Sequence, residues 1–165
     1  MNNPPVTVLM SVYNGARYLG EAIDSILGQT YGDFEFLIID DGSIDDSVDI
    51  INGYDDPRIR LQQHSNRGLA ESLRQGVIDA RGDIIVRADQ DDISYPRRIE
   101  QQVSYLDQTS SVGLVRTLLE IINANGTTVS GCTGETSSVT SAPVGGSYGA
   151  ILAATHRLRF AKVYS

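Results

Sequence analysis

The sequence predicts an α/β fold in which a mainly parallel sheet is covered by helices on both faces. Short apolar runs of strand length alternate, over the first two-thirds of the chain, with segments whose apolar residues recur at helical spacing. Strands that alternate with helices are joined by right-handed crossovers, and such crossovers build parallel sheets. The 165 residues are enough to bury the core of one domain. We expect the sheet to lie within residues 5–124.

Five strands are predicted from apolar runs bounded by turn residues. They are residues 6–12, 34–39, 58–62, 83–88 and 112–115, of which the third is the weakest. The first helix has its apolar face at residues 19–27, and the second is capped by Ser43 or Asp45 and runs to Ile51. The third is marked by Leu69, Leu73 and Val77 and ends at Gly82. The fourth has Pro96 in its first turn and Ile99, Val103 and Leu106 on its apolar face.

The composition of the chain changes after residue 125. Of the 25 residues 126–150, 16 are Gly, Ser or Thr, and only Glu135 is charged. Such a segment cannot pack a core unaided, so loop, weak hairpin or disorder is expected. We therefore divide the chain into a domain over residues 1–125 and a tail over residues 126–165.

The charge distribution excludes one class of partner. Residues 1–120 hold 20 acids and 10 basic residues, a net charge of 10 − 20 = −10. A protein that binds a nucleic-acid backbone needs a basic stripe, so no nucleic acid is expected as a partner. The single lysine, Lys162, lies near the end of the sequence. A phosphate bound to the main body must therefore be neutralised by arginine, backbone N–H groups or a metal ion.

Targeting signals and cysteine chemistry are not apparent in the sequence. The longest apolar run covers only residues 150–154, too short to span a bilayer. The first residues lack the basic start and apolar stretch of a secretory signal, and the one cysteine, Cys132, cannot form an internal disulfide. These features predict a soluble, cytoplasmic protein.

Acidic residues follow the second predicted strand. Ligands of parallel α/β sheets bind beyond the carboxyl ends of the strands, so the loops after Val12, Ile39 and Ala88 are the places to search. The loop after Ile39 begins Asp40-Asp41-Gly42-Ser43. Carboxylates there can accept hydrogen bonds from a nucleobase or a ribose. The same residues are also typical of a turn that only caps the next helix.

A second acidic group, Asp89-Gln90-Asp91-Asp92, follows the fourth predicted strand. Three neighbouring carboxylates repel one another and favour a bound cation or full solvation. Mg²⁺ and Mn²⁺ prefer oxygen ligands and commonly bridge a carboxylate to substrate phosphates. The alternative is a solvated acidic turn whose charges favour the N-terminus of the following helix.

Other phosphate sites and a hydrolytic triad fit the sequence poorly. Neither the dinucleotide-binding pattern G-x-G-x-x-G nor the P-loop pattern G-x-x-x-x-G-K-[ST] occurs. His64 and His156 are expected at the surface, and no Ser/His/Asp set can be assigned. Arg17 and Arg67 are candidates for a phosphate contact or for solvated ion pairs.

Taken together, these motifs resemble family-2 glycosyltransferases of the GT-A fold. The matching features are Tyr13-Asn14 after the first strand, the turn DDGS, the pattern N-x-G followed by A-R-G-D, and D-x-D-D before Pro96. They occur in the family's order and spacing from about Pro5 to Gly126. The resemblance is to the N-terminal, nucleotide-sugar-binding half, and it implies a Rossmann-like GT-A domain.

The resemblance also implies roles for individual residues. Val12 and Tyr13 would line the nucleotide pocket, and Asp41, with Asp40 beside it, would accept a hydrogen bond from the base. Asp89 and Asp91 match the D-x-D motif, near the ribose and on a Mg²⁺ or Mn²⁺ ion that bridges the diphosphate. Asp91 is the expected direct metal ligand.

The expected activity is inverting transfer of a sugar from a nucleotide-diphospho-sugar to a saccharide or lipid-linked acceptor, in polysaccharide biosynthesis. No transmembrane segment is expected, although peripheral membrane contact is compatible with this role. Nothing after Gly126 resembles the half of the family that supplies the acceptor site and general base, so the tail is interpreted as a truncated or divergent acceptor region. Arg74 and Arg116 also depart from the family's pattern.

Two alternative functions stay open. One is a nucleotide-sugar-binding remnant without catalysis, because no general base is identified. The other is a phosphohydrolase with Asp89 as its nucleophile, which is disfavoured because the motif follows the fourth strand and no suitable lysine comes after it.

Overall fold

The computed structural model describes residues 4–117, 120–123, 127–131, 140–143 and 159–163. These residues form nine strands: β1 (Val6–Val12), β2 (Phe34–Asp40), β3 (Ile59–Gln63), β4 (Ile84–Asp89), β5 (Val112–Thr117), β6 (Glu120–Ile122), β7 (Thr128–Gly131), β8 (Thr140–Pro143) and β9 (Arg159–Val163). The described residues also form four helices, α1 (Ala16–Leu27), α2 (Ser47–Asn52), α3 (Leu69–Asp79) and α4 (Arg98–Gln108). Cys132, Glu135 and His156 lie outside the described residues.

The main sheet has the strand order β3-β2-β1-β4-β9-β5-β8. Every neighbouring pair is parallel except β5 and β8, which pair antiparallel at one edge. The chain leaves β1 toward β2 and β3 and then returns to β4 on the other side of β1. This reversal puts the switch point between β1 and β4, where ligands of such sheets bind.

Helices cover both faces of the sheet, as predicted. The larger core joins alternate residues of β1, such as Val8 and Met10, to apolar residues of α1, α2 and α4. The smaller core joins Leu9 and Ile39 to Leu73 and Val77 of α3. A Cβ on Gly76 of α3 would lie 2.3 Å from a methyl carbon of Leu9, so glycine permits this close packing.

Most element boundaries agree with the sequence prediction to within a few residues. Pro96 is an exception, because it precedes the N-cap of α4, Arg97, instead of lying in the first turn. Its carbonyl accepts a hydrogen bond from the backbone N–H of Thr30, which ties this segment to the end of α1.

The tail contributes strands that the sequence patterns did not predict. Residues 159–163 form β9 and lie between β4 and β5 in the main sheet. β7 pairs antiparallel with β6, which precedes the tail, in a separate two-stranded sheet. Among the described residues, no helix is long and apolar enough to cross a membrane.

Candidate functional site

A cleft of about 350 Å³ opens at the carboxyl ends of β1, β2 and β4. We call it the carboxyl-edge cleft, and it is lined by Ser11, Tyr13, Asp41, Asn66, Gly68, Leu69, Arg87, Asp89, Gln90 and Asp91. The structure therefore brings together four of the predicted site residues: Tyr13, Asp41, Asp89 and Asp91. They come from three strand ends that are far apart in sequence but adjacent in the sheet.

Val12 and Asp40, also predicted for the site, do not line this cleft. The two residues are register partners in β1 and β2, and both are buried. Val12 belongs to the larger hydrophobic core, while the carboxylate of Asp40 accepts the backbone N–H of Ser43 at 3.3 Å. Alternate residues of a strand face opposite sides, so Ser11 lines the cleft where Val12 was expected.

Gln90 joins the ends of β1 and β4. Its Oε1 accepts the backbone N–H of Tyr13 at 2.9 Å, and its Nε2 donates to the carbonyl of Tyr13 at 3.3 Å. A Cβ on Gly15 would lie 2.5 Å from this Oε1, so glycine leaves the space that the amide occupies. The D-x-D pattern gives no role to its middle residue, and the sequence reasoning therefore missed this contact.

Side chains of the second-strand loop, residues 40–47, accept hydrogen bonds from backbone N–H groups at the start of α1. Ser43 Oγ accepts the backbone N–H of Asn14 at 3.0 Å, and Asp45 Oδ2 accepts that of Ala16 at 3.0 Å. Asp45 Oδ1 also accepts the N–H of Ser47, at the start of α2. The pKa of Asp45 is lowered, chiefly because its carboxylate accepts a hydrogen bond from the Ser47 hydroxyl. The predicted capping role of this turn is thus present, and it serves two helices.

Asp41 is the most thoroughly bonded acid of the cleft. Its side chain is 3% exposed; Oδ1 accepts the backbone N–H of Arg67 at 2.7 Å and Oδ2 that of Gly68 at 2.8 Å. His64 Nδ1 lies 3.2 Å from the same Oδ1. His64 is thus not the surface residue that was expected, since only 13% of its side chain is exposed.

The fourth-strand loop, residues 89–92, is bonded differently. Arg87 places Nη2 at 2.6 Å and Nε at 2.8 Å from Oδ1 of Asp89. Asp91 is exposed, and no described residue donates a hydrogen bond to it or forms an ion pair with it. The pKa of the half-buried Asp92 is raised by burial first and by the charges of Asp89 and Asp91 second.

A buried arginine lies behind this loop. Arg98, in the first turn of α4, is 6% exposed, and it donates from Nη2 to the carbonyl of Arg87 at 3.3 Å. Burial lowers its pKa to about 10, while the charges of Asp92 and Asp89 act in the opposite direction. Its Nε meets no acceptor among the described residues. Arg98 thus supplies the second cation close to the fourth-strand loop.

The acids of the cleft suit a hard divalent cation that also binds a ligand. Among the described residues no group of three or more His, Cys, Asp or Glu side chains could hold a metal. Asp91 and Asp89 nevertheless offer oxygen atoms side by side at the cleft, the ligand type that Mg²⁺ and Mn²⁺ prefer. Magnesium usually binds one or two carboxylates and completes its shell with water and substrate phosphates. The residues present fit that arrangement.

Arg17 and Arg67, the two candidates for a phosphate contact, do not line the cleft. Arg17 is exposed and stacks on the ring of Tyr18, with its guanidinium carbon 4.9 Å from the ring centre. Arg67 contributes a backbone N–H to Asp41, and its side chain does not line the cleft. Arg87, which the sequence reasoning did not single out, is the arginine that lines the cleft among the described residues.

Comparisons with known proteins agree on one family. The model of the family "Glycosyl transferase family 2" matches residues 7–130. The putative glycosyltransferase EpsE of Bacillus subtilis is 42% identical over 111 residues, which cover 65% of this chain and 40% of EpsE. An uncharacterized glycosyltransferase of Nostoc is 36% identical over 127 residues, covering 75% of this chain and 39% of the relative. The chain thus spans well under half the length of these relatives.

Solved structures give the same fold. TarS 1-349 of S. aureus superimposes with a TM-score of 0.66 at 21% identity, over 72% of this chain and 36% of that TarS chain. The mannosyltransferase PcManGT of Pyrobaculum calidifontis, solved in complex with GDP-Man and Mn²⁺, gives a TM-score of 0.63 at 26% identity. The match covers 72% of this chain and 36% of PcManGT. The predicted α/β fold of the GT-A type is confirmed.

Proposed function

The chain belongs to glycosyl transferase family 2, and we propose that its carboxyl-edge cleft binds the nucleotide-diphospho-sugar donor of a sugar transfer reaction. The observation that carries the proposal is the meeting of Tyr13, Asp41, Asp89 and Asp91 at the switch point of the sheet. Two structural relatives, TarS and PcManGT, have been solved with UDP-GlcNAc and with GDP-Man. A nucleotide sugar is therefore the ligand class to test first.

The base would lie between Tyr13 and Asp41. Tyr13 is 47% exposed and offers an aromatic surface for stacking. A carboxylate has about four lone-pair sites, and Asp41 uses two of them to accept the backbone N–H groups of Arg67 and Gly68, with His64 Nδ1 beside Oδ1 at 3.2 Å. The second site of Oδ2 would accept an N–H of the base. Asp40 would support this position through the turn that it closes with Ser43.

The diphosphate and ribose would lie over the fourth-strand loop. Asp91 would be the direct ligand of a Mg²⁺ or Mn²⁺ ion, and Asp89 would lie near the ribose and the metal. The metal, when bound, offsets the charge that develops on the leaving diphosphate. Lys162 is the only lysine of the sequence, and Arg87, which lines the cleft, is already paired with Asp89, so a metal would supply most of the positive charge for that purpose.

Residues 1–125 would form the donor-binding domain, and residues 126–165 would belong to an acceptor region that departs from the family's pattern. The general base that deprotonates the acceptor hydroxyl is not assigned to any residue of this chain. We place the reaction at the cytoplasmic side, in polysaccharide biosynthesis, with a saccharide or lipid-linked acceptor.

Calorimetry with UDP, GDP and dTDP, each with and without Mn²⁺, tests the proposal. We expect at least one diphosphate to bind, and Asp91→Ala to remove the Mn²⁺-dependent part of its affinity. Loss of one interaction with a charged group costs about 1.5–3 kcal/mol, or roughly ten- to a hundred-fold in affinity. Asp83→Ala is the matched control, because Asp83 is exposed and adjoins the opposite end of β4.

Each outcome decides between the functions considered. If a nucleotide sugar with the same nucleoside diphosphate is then hydrolysed or transfers its sugar, the enzyme is supported; binding without turnover of the nucleotide sugar supports a donor-binding protein without catalysis. A phosphoaspartate trapped on Asp89 would instead support the phosphohydrolase. If no diphosphate binds, or if Asp91→Ala binds like the parent, the site is assigned wrongly.

A further inference from the structure

The acids of the fourth-strand loop differ in how their charge is compensated. Asp89 is paired with Arg87, and Asp92 lies within the electrostatic influence of the buried Arg98. Asp91 has no cationic partner among the described residues. Asp91 is thus an exposed carboxylate of this loop that no guanidinium of the described residues contacts, whereas Asp89 is held in an ion pair.

Arg87 contacts only one of the two carboxylate oxygens of Asp89. Both Nε and Nη2 of Arg87 approach the same oxygen, Oδ1, and no described residue bonds to Oδ2. Arg87 is 21% exposed and lines the cleft, so its guanidinium faces whatever binds there. Asp89 therefore keeps one free acceptor oxygen while its charge is neutralised.

We propose that Arg87 is a positioning residue that divides the work of the two D-x-D carboxylates, reserving Asp89 for a ribose hydroxyl and leaving Asp91 as the metal ligand. The inference rests on the proposed function. A neutralised carboxylate attracts a divalent cation weakly but still accepts a hydrogen bond from a neutral hydroxyl. Without Arg87, both acids would compete for the cation.

The proposal predicts affinity changes of opposite sign in one variant. Arg87→Met removes the cation but keeps a side chain of similar length, so Mn²⁺ alone should bind roughly tenfold more tightly. UDP or GDP in saturating Mn²⁺ should bind roughly tenfold more weakly, because Asp89 is drawn from the ribose to the metal. A merely structural role for Arg87 would weaken both.

Mn²⁺ titrations followed by water-proton relaxation measure the first change, and calorimetry measures the second. Arg87→Lys keeps the charge and should restore the parent's Mn²⁺ affinity. Asp89→Asn added to Arg87→Met should abolish the gain. Arg97→Met is the matched control, because Arg97 is exposed and pairs with Glu100 outside the cleft.

A second comparison does not depend on the folding of the Arg87 variants. Asp89→Asn alone should leave Mn²⁺ affinity close to that of the parent, whereas Asp91→Asn should remove it. The inference is overturned if the two acids contribute equally, or if Arg87→Met binds Mn²⁺ no more tightly. If the parent binds neither Mn²⁺ nor a diphosphate, the proposed function fails as well. If the parent binds both, failure of the Arg87 result overturns this inference alone.

Discussion

The second-strand loop and the fourth-strand loop are both acidic and lie at the same edge of the sheet, yet their charges are compensated by different groups. Asp40, Asp41 and Asp45 accept hydrogen bonds from backbone N–H groups. The fourth-strand loop relies on the side chains of two arginines, and Asp91 has no cationic partner among the described residues.

This difference indicates that the two loops have different roles. Backbone N–H groups are fixed by the fold, so carboxylates that bind them hold neighbouring segments in place. An exposed carboxylate without a partner, flanked by other acids, gains most when a cation arrives. We therefore expect the second-strand loop to act as a scaffold for the cleft and the fourth-strand loop to respond to a bound cation.

The largest effect on stability is expected for Asp41→Ala. Removal of the carboxylate leaves the backbone N–H groups of Arg67 and Gly68 without their acceptor and takes away the carboxylate that lies beside His64. Removing a buried carboxylate and leaving its hydrogen-bond donors unpaired lowers the free energy of unfolding by about 3 kcal/mol or more. Urea denaturation measures the loss.

Asp46→Ala is the control for that prediction. Asp46 is exposed in the same loop, and its side chain makes no capping hydrogen bond to α2. Its removal should change the free energy of unfolding by less than about 0.5 kcal/mol. Equal losses in the two variants would contradict the scaffold role given to Asp41.

An intermediate effect is expected where the fourth-strand loop meets the end of β1. Gly15→Ala puts a methyl group where the amide of Gln90 lies, so the two hydrogen bonds between Gln90 and Tyr13 are lost. The expected cost is about 1 kcal/mol in urea denaturation. Gln90→Ala should then add little in the Gly15→Ala background, because the interaction is already broken.

Gly32→Ala is the matched control, since a Cβ there meets nothing within 4 Å. Full additivity of Gly15→Ala and Gln90→Ala would show that Gln90 does not couple the ends of β1 and β4.

Local patterns predicted the first five strands well, for physical reasons. The run 6–12 is apolar because β1 is buried on both faces, so the ends of the apolar run mark the ends of the strand. Contacts that depend on distant partners were not predictable in this way. β9 owes its place to pairing with β4 and β5, and the half-buried position of His64 follows from its contact with Asp41. Gln90 has no local signal, because its partner lies 77 residues away in the sequence.

A smaller effect, opposite in sign, is expected in the fourth-strand loop. Asp92 has a raised pKa, so its charged form is disfavoured in the folded protein, chiefly by burial. Asp92→Asn should therefore increase the free energy of unfolding at pH 7, by about 0.5 kcal/mol after allowance for solvent screening. The gain should disappear as the pH falls below the ordinary pKa of Asp, because the parent is then protonated in both states. A loss of stability at pH 7 would contradict the assignment of unmet charge to this loop.

The smallest effect is expected for Asp45→Asn, and its pH dependence should be the reverse. The folded protein lowers the pKa of Asp45, mainly through the hydroxyl of Ser47, so the ionised carboxylate contributes stability above the pKa of the unfolded chain. That contribution is lost as the pH falls through the lowered pKa of the folded state. The parent should therefore melt at a higher temperature than Asp45→Asn at pH 7, and the two melting temperatures should converge in acid. At pH 7 the Asp92→Asn variant should instead be more stable than the parent. Melting curves of the parent and the two variants between pH 7 and pH 3 therefore compare the loops directly. If both substitutions shift the melting temperature in the same direction at pH 7, the two loops do not differ in the way proposed.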